Sequence, residues 1–457
     1  MGKRVVVVGG DAAGMSAASQ IRRANPELAV TVYEQGAYAA YGACGIPYLI
    51  SGEVDSYESL LALGADDFAR RGIEVCLQHQ VVAVKPGARV VEVRHGAGAV
   101  RSVRYDYLVL ATGAVPVAPA WMEVSVAQVH GLRGLSDGMT VRRIIDSGQV
   151  ARAVIVGTGL IGMEMAEALS KRGLQVTVIG RSQRMIFGLD RVFLEPVVRS
   201  LSDRGIELLQ DQTVTGLQSQ AGRVSAVVLL DRRIPADLVI VATGVRPSTA
   251  LAREAGIGVG RSGGIAVSDR LKTEVPGVYA AGDCVELTHI VTGARVVAPL
   301  ALTANRTGRI AGDNLAAESL GRLSAQRFRG TAGTAVTRVF DHSVACAGLD
   351  EEQARAAGFA PAVFERESRS RASYYPGGTP VYTRIVVDRR TQRLLGAQIL
   401  GQEGVAGRID VVAAALFNRM TVQQVYDLEL AYAPPFGPVY DPLIEVCGRA
   451  ALELGTL

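Results

Sequence analysis

Two stretches constrain this chain more than any other part of it: "RVVVVGGDAAGMSAASQIRR" from Arg4 and "RAVIVGTGLIGMEMAEAL" from Arg152. Each runs an apolar strand straight into a glycine turn and then a helix. That order gathers backbone N–H groups and a helix N-terminus at one point, where a pyrophosphate can bind. A chain that does this twice is predicted to be α/β, with two Rossmann-like three-layer units that hold dinucleotides.

In the first motif Gly9, Asp11, Ala12, Ala13 and Gly14 make the turn, and Asp11 stands where the usual fingerprint has its middle glycine. The next strand, "LAVTVYE", ends in Glu34, 25 residues beyond Gly9. A carboxylate there can hold a ribose hydroxyl. A ligand-free strand-turn-helix is the plainer alternative, and the ordered strand, turn, helix and acid weigh against it. The second motif is complete, with Gly157, Gly159 and Gly162 flanking Leu160 and Ile161. Its following strand, "LQVTVIGR", carries Gly180 in the place of Glu34, and Arg181 and Arg184 come next. Losing the acid and gaining guanidinium groups favours a 2′-phosphate, hence NADPH over NADH. The bland reading of those arginines is a solvated face.

"YDYLVLATGAVP", with Thr112 and Gly113, and "ADLVIVATGVRPS", with Gly244, each close a nucleotide unit by a strand and a tight turn. "VPGVYAAGDCVE" sets Gly282 and Asp283 at a strand end, where the carboxylate suits a ribityl-like row of hydroxyls. Cys284 beside it reads as a buried thiol.

At 457 residues the chain exceeds one ordinary core, so two or three packed units are expected. The formal charge of +4 is small for this length, and no basic run carries interleaved aromatics, which argues against a nucleic-acid surface. The opening "MGKRVVVVGG" mimics a leader, but glycines interrupt its apolar run after four valines. No apolar stretch approaches the roughly 18 residues of a membrane helix. Five scattered cysteines without metal-ligand spacing suggest a reducing cytoplasm and no metal site.

The order of these motifs resembles the pyridine nucleotide-disulfide oxidoreductase family over essentially the whole chain. The resemblance implies FAD in the first unit and the nicotinamide nucleotide in a second unit inserted into it. The implied boundaries are 1–113 with 245–327 for FAD, 114–244 for NAD(P)H, and 328–457 for a C-terminal α+β interface domain that dimerises. In that last part "TAVTRVF", "TRIVVD" and "LLGAQILG" read as strands and "GRIDVVAAALFNRM" as a helix.

The segment "AYAAYGACGIPYLISG" carries Cys44. Dithiol members of the family pair two cysteines in a short loop, whereas the residues five before and five after Cys44 are Ala39 and Leu49. Cys44 must then cycle through a mixed disulfide with a small thiol or through a sulfenic acid. Pro47 suits the first turn of a helix, and a thiol beside a helix N-terminus is expected to have its thiolate favoured.

"CGIPY", "SRASYYPGG" and "ELAYAPPFGPVYDP" look most like the single-cysteine branch, namely coenzyme A disulfide reductases and NAD(P)H oxidases. The likeness implies that Tyr374 and Tyr432 reach the Cys44 sulfur of the other subunit in a homodimer. It also implies that Ser16, Gln20, Arg23 and, less directly, Arg71 meet coenzyme A. Three positions depart from the branch: Ala43 replaces a frequent Asn, Asn305 a His and Tyr440 a Lys. The expected activity is NAD(P)H-dependent reduction of a small disulfide. The alternatives are an oxidase, peroxidase or persulfide reductase and, from another class, a flavin-bearing redox sensor.

Overall fold

The computed structural model describes residues 2–122 and 126–455. The four valines of the first motif form β1 (Arg4–Val8), buried on both faces as a central parallel strand must be. The glycine turn leads into α1 (Ala12–Ala24), followed by β2 (Ala29–Tyr33). With β3 (Ile73–Cys76), β4 (Tyr107–Leu110) and a strand from far later in the chain, Val278–Ala280, they make a parallel sheet in which β1 lies between β2 and β4. Val8, Tyr33 and Leu110 are in register, so the carboxyl ends of three strands open at one edge. In doubly wound sheets that edge is where ligands bind.

A short helix, α2 (Ile46–Ser51), follows β2, and the second motif repeats the pattern in β5 (Arg152–Val156), α3 (Leu160–Lys171) and β6 (Gln175–Ile179). Strands Glu207–Leu209, Leu238–Val241 and Val129–Gly131 complete its parallel sheet. A long helix, α4 (Ala301–Ser319), then returns to pack along α1.

The rest of the chain is a five-stranded antiparallel sheet, with helices Val405–Phe417 and Pro442–Glu453 packed on it. Strands Ala335–Val339, Pro380–Asp388 and Leu394–Gly401 and the helix at Val405 cover the predicted segments. The pattern reading had missed His342–Gly348 and Pro361–Arg369, and the latter is an edge strand whose polar second half carries little apolar alternation. Val339, Val344 and Leu400 of this sheet share one core with Ile155 and Met163 of the second unit. Among the described residues no helix is long and apolar enough to cross a membrane.

Candidate functional site

Both glycine turns open into one cavity of about 1720 Å³, larger than the roughly 300–1,000 Å³ of a single small-molecule site. The two turns are built alike. Gly9 (φ +107°) and Gly157 (φ +124°) adopt a backbone that favours glycine, and a Cβ on either would run into a carbonyl oxygen, of Ala111 and Ala242 respectively. Gly14 and Gly162, one helical turn on, pack against the carbonyls of Gly9 and Gly157 with no room for a side chain. Gly159 caps the start of α3 and, with Leu160 and Ile161, lines the cavity.

On the first side Asp11 stands at the N-cap position of α1 in an extended conformation, with no side-chain cap bond, Ala12 opens the helix, and Ala13 packs against Gly282. Asp11 Oδ1 and Asp283 Oδ1 are buried with no hydrogen-bond partner among the described residues, and both residues line the cavity. Burial raises each carboxyl to about 6, and Glu34 and Asp283 add to the effect on Asp11. Buried acceptors left open at the carboxyl edge of a sheet fit a ligand rich in hydroxyl groups, as the ribityl and ribose of FAD are. Glu34 also lines the cavity, and its carboxylate accepts from Gly10 N–H at 2.7 Å and Gly36 N–H at 2.6 Å. Thr112, Gly113 and Gly244 lie on the same wall, and Thr112 Oγ1 donates to the Ser248 carbonyl at 2.6 Å.

Cys44 lies in a single 3₁₀ turn, Ala43–Gly45, ahead of α-helical Ile46–Ser51, with Pro47 in the first turn. Ile46, Leu49 and Ile50 are buried in the core of the second unit, so the segment bridges the two nucleotide units. All five cysteines are free. The expectation of a favoured thiolate does not hold. The Cys44 thiol reaches solvent but is crowded by the cavity wall, and that burial pushes its pKa above the ordinary value, with Glu164, Asp11 and Asp283 adding to the rise. The helix that follows Cys44 is only six residues long.

Glu164 was missed by the sequence reading. It sits in the first turns of α3, lines the cavity, accepts from Thr337 Oγ1 at 2.8 Å, and is itself held above the usual carboxylate range by burial. Its one sequence signal is an acid two residues after the last glycine of a nucleotide turn. In reduced protein, Glu164→Gln should move the midpoint of Cys44 alkylation by iodoacetamide to lower pH. Removing a negative charge removes part of the penalty on the thiolate. An unchanged or higher midpoint would mean that Glu164 does not contribute to the rise.

Other predicted positions lie outside the cavity lining. Ser16 Oγ donates to Asn305 Oδ1 at 2.7 Å, Gln20 Nε2 to Asp313 Oδ1 at 3.1 Å, and Arg23 Nη1 to Gln20 Oε1 at 2.9 Å, a polar row where α1 meets α4. The Arg71 carbonyl accepts from Arg22 Nε at 3.1 Å. Tyr374 and Tyr432 meet hydroxyl to hydroxyl at 3.1 Å on the antiparallel unit. Both are exposed, as are Phe436, Val439 and Tyr440 on the same stretch of chain as Tyr432. Arg181 lines the cavity, whereas Arg184 turns away to Asp350 and Glu352.

The family model described as pyridine nucleotide-disulphide oxidoreductase matches residues 3–308, and the dimerisation domain of the same family matches residues 334–442. The NAD(P)H coenzyme A polysulfide/persulfide reductase of Pyrococcus horikoshii is 38% identical over 97% of this chain and 97% of its own length. A coenzyme A disulfide reductase of Staphylococcus aureus is 30% identical over 98% and 99%. Among solved structures, reduced Bacillus anthracis CoADR-RHD superposes with a TM-score of 0.94 at 31% identity, covering 99% of this chain and 81% of that one. An engineered water-forming NADPH oxidase, made from the Lactobacillus brevis NADH oxidase and bound to NADPH, has a TM-score of 0.92 at 25% identity over 99% of each chain.

Proposed function

Since this chain belongs to the pyridine nucleotide-disulphide oxidoreductase family, we propose that it is an NADPH-dependent reductase of a small-molecule disulfide, coenzyme A disulfide or a close relative, acting through Cys44. One observation carries the proposal: a free Cys44 lines the cavity that both glycine turns share. In this reading 1–113 and 245–327 hold FAD, 114–244 hold NADPH, and 328–457 form the subunit interface. Gly9, Gly14, Glu34 and Asp283 would hold FAD, which supplies a two-electron relay between the nicotinamide and a disulfide.

The chemistry of the chain's own groups follows. Cys44 in a mixed disulfide takes up two electrons and one proton, the S–S bond breaks, and one thiol leaves. The Cys44 thiolate then attacks the next disulfide and expels its second half as a thiolate, which takes a proton. Over a cycle one disulfide and one NADPH, with one proton, give two thiols and NADP⁺. Tyr374 and Tyr432 of the other subunit would supply or steady the proton on the departing sulfur. Ser16, Gln20, Arg23 and Arg71 would bind the nucleotide end of coenzyme A, with Arg23 offering a guanidinium fork to phosphate.

NADPH is supported by a comparison of spacing. The engineered oxidase has a glycine changed to Ala and, eighteen residues on, an Asp-Ala-Met run changed to Ala-Arg-Ser. Eighteen residues after Gly162, which stays glycine here, this chain carries Gly180, Arg181 and Ser182, so it shares the Arg-Ser pair.

A second reading, in which Cys44 or bound coenzyme A carries a persulfide, is favoured by the name of the Pyrococcus relative. NADPH consumption measured against coenzyme A disulfide, coenzyme A persulfide, peroxide and oxygen separates these routes. Turnover of the first substrate alone is expected, and no turnover of any would favour a sensor. The intact mass of non-reduced protein should show a reducible thiol adduct on Cys44.

The subunit crossing has its own test. Cys44→Ser and the double variant Tyr374→Phe with Tyr432→Phe should each be impaired, by about 10²-fold for the tyrosines. Mixed heterodimers should regain one working site. Without recovery on mixing, the tyrosines serve their own subunit.

A further inference from the structure

Arg181 and Arg184 leave the same strand, but the fold uses them differently. Arg181 lines the cavity, and its side chain has no hydrogen bond or ion pair among the described residues. Arg184 faces the antiparallel unit, where Asp350 caps a short helix, α5 (Glu351–Ala356). Arg184 Nη1 donates to the Gly188 carbonyl at 3.0 Å and to Asp350 Oδ2 at 3.3 Å, and Nη2 donates to Glu352 Oε2 at 2.7 Å. Asp350 is itself held, because its Oδ1 accepts from Gln353 N–H at 2.7 Å. The backbone of Arg184 faces the nucleotide side: its carbonyl accepts from Thr158 Oγ1 of the second glycine turn at 3.3 Å, and its N–H donates to Ser182 Oγ at 3.3 Å.

We propose that Arg184 is a positioning residue rather than a phosphate ligand. Asp350 and Glu352 hold the loop over residues 180–184 so that Arg181 alone meets the 2′-phosphate of NADPH. The helix cap of the interface unit thereby sets nucleotide selectivity. This rests on the reading above that the second glycine motif holds NADPH. Both carboxylates pair with Arg184, whereas Arg181 has no ion-pair partner among the described residues.

The test is calorimetric titration of the FAD-loaded protein with NADP⁺ and, separately, NAD⁺, with no disulfide present. Arg181→Gln should weaken NADP⁺ about tenfold or more and leave NAD⁺ within about twofold. Asp350→Asn combined with Glu352→Gln keeps a good helix cap and should weaken NADP⁺ about three- to tenfold, again sparing NAD⁺. Arg184→Gln should match that pair, and Arg184→Lys should recover part of the selectivity. Tighter NADP⁺ binding in the acid pair would overturn the proposal, since Arg184 would then be a phosphate ligand released by their loss. Equal weakening of both nucleotides in Arg184→Gln would also overturn it, leaving only a structural role. Unchanged NADP⁺ affinity in the acid pair, with wild-type preference for NADP⁺ intact, sinks this proposal alone. Equal wild-type affinities for the two nucleotides would sink the NADPH reading beneath it as well.

Discussion

In Cys44→Ser, disulfide turnover should fall by at least about 10³-fold while NADPH still bleaches the flavin absorbance at an undiminished rate. A serine oxygen nearly fills the space of the sulfur but cannot exchange with a disulfide. The segment should stay in place, because its anchors are Ile46, Leu49 and Ile50, buried at 5%, 1% and 0% exposure in the core of the second unit. Stopped-flow reduction together with steady-state turnover checks both halves. Undiminished turnover would remove Cys44 from the mechanism, and loss of flavin reduction would mean that the substitution had disturbed the fold.

Gly9→Ala and Gly157→Ala should separate the two nucleotide sites. At each position the new methyl meets a backbone carbonyl, and φ lies well inside the positive range, at +107° and +124°. Strain of this backbone type costs about 1–3 kcal/mol, and overpacking costs a similar amount. Gly157→Ala is expected to purify with FAD bound but to lose nicotinamide nucleotide affinity by about 10²-fold or more, the equivalent of about 3 kcal/mol. Gly9→Ala is expected to purify without FAD and to melt at a lower temperature. Flavin absorbance, melting temperature and NADP⁺ titration give the readouts. The opposite pattern, with FAD lost from Gly157→Ala alone, would exchange the assignments of the two units.

The glycine turns were legible because the strand, the turn and the helix of each are contiguous in sequence, although the carbonyls that bar a side chain there, of Ala111 and Ala242, come from distant strands. A run of valines wants a buried central strand, and the turn at Gly9 or Gly157 tolerates no side chain. The helix that follows presents its N-terminus whatever lies elsewhere. The same holds for Pro47 in the first turn of its helix. The polar edge strand Pro361–Arg369 was not legible, because pairing along Pro380–Asp388 supplies the order that its own alternation does not.

At the site, the division follows distance along the chain. Sequence alone determined which residue types could do chemistry: Cys44 without a neighbouring cysteine, an acid at Glu34, and arginines after Gly180. Tertiary structure decided what surrounds them. Burial, with Glu164 from another unit and two further acids adding to it, reverses the expected effect on the Cys44 thiol. Asp350 and Glu352 take Arg184 out of the cavity. Burial and Coulomb interactions act through space, so groups more than a hundred residues apart set one another's charge, and no local pattern encodes that distance.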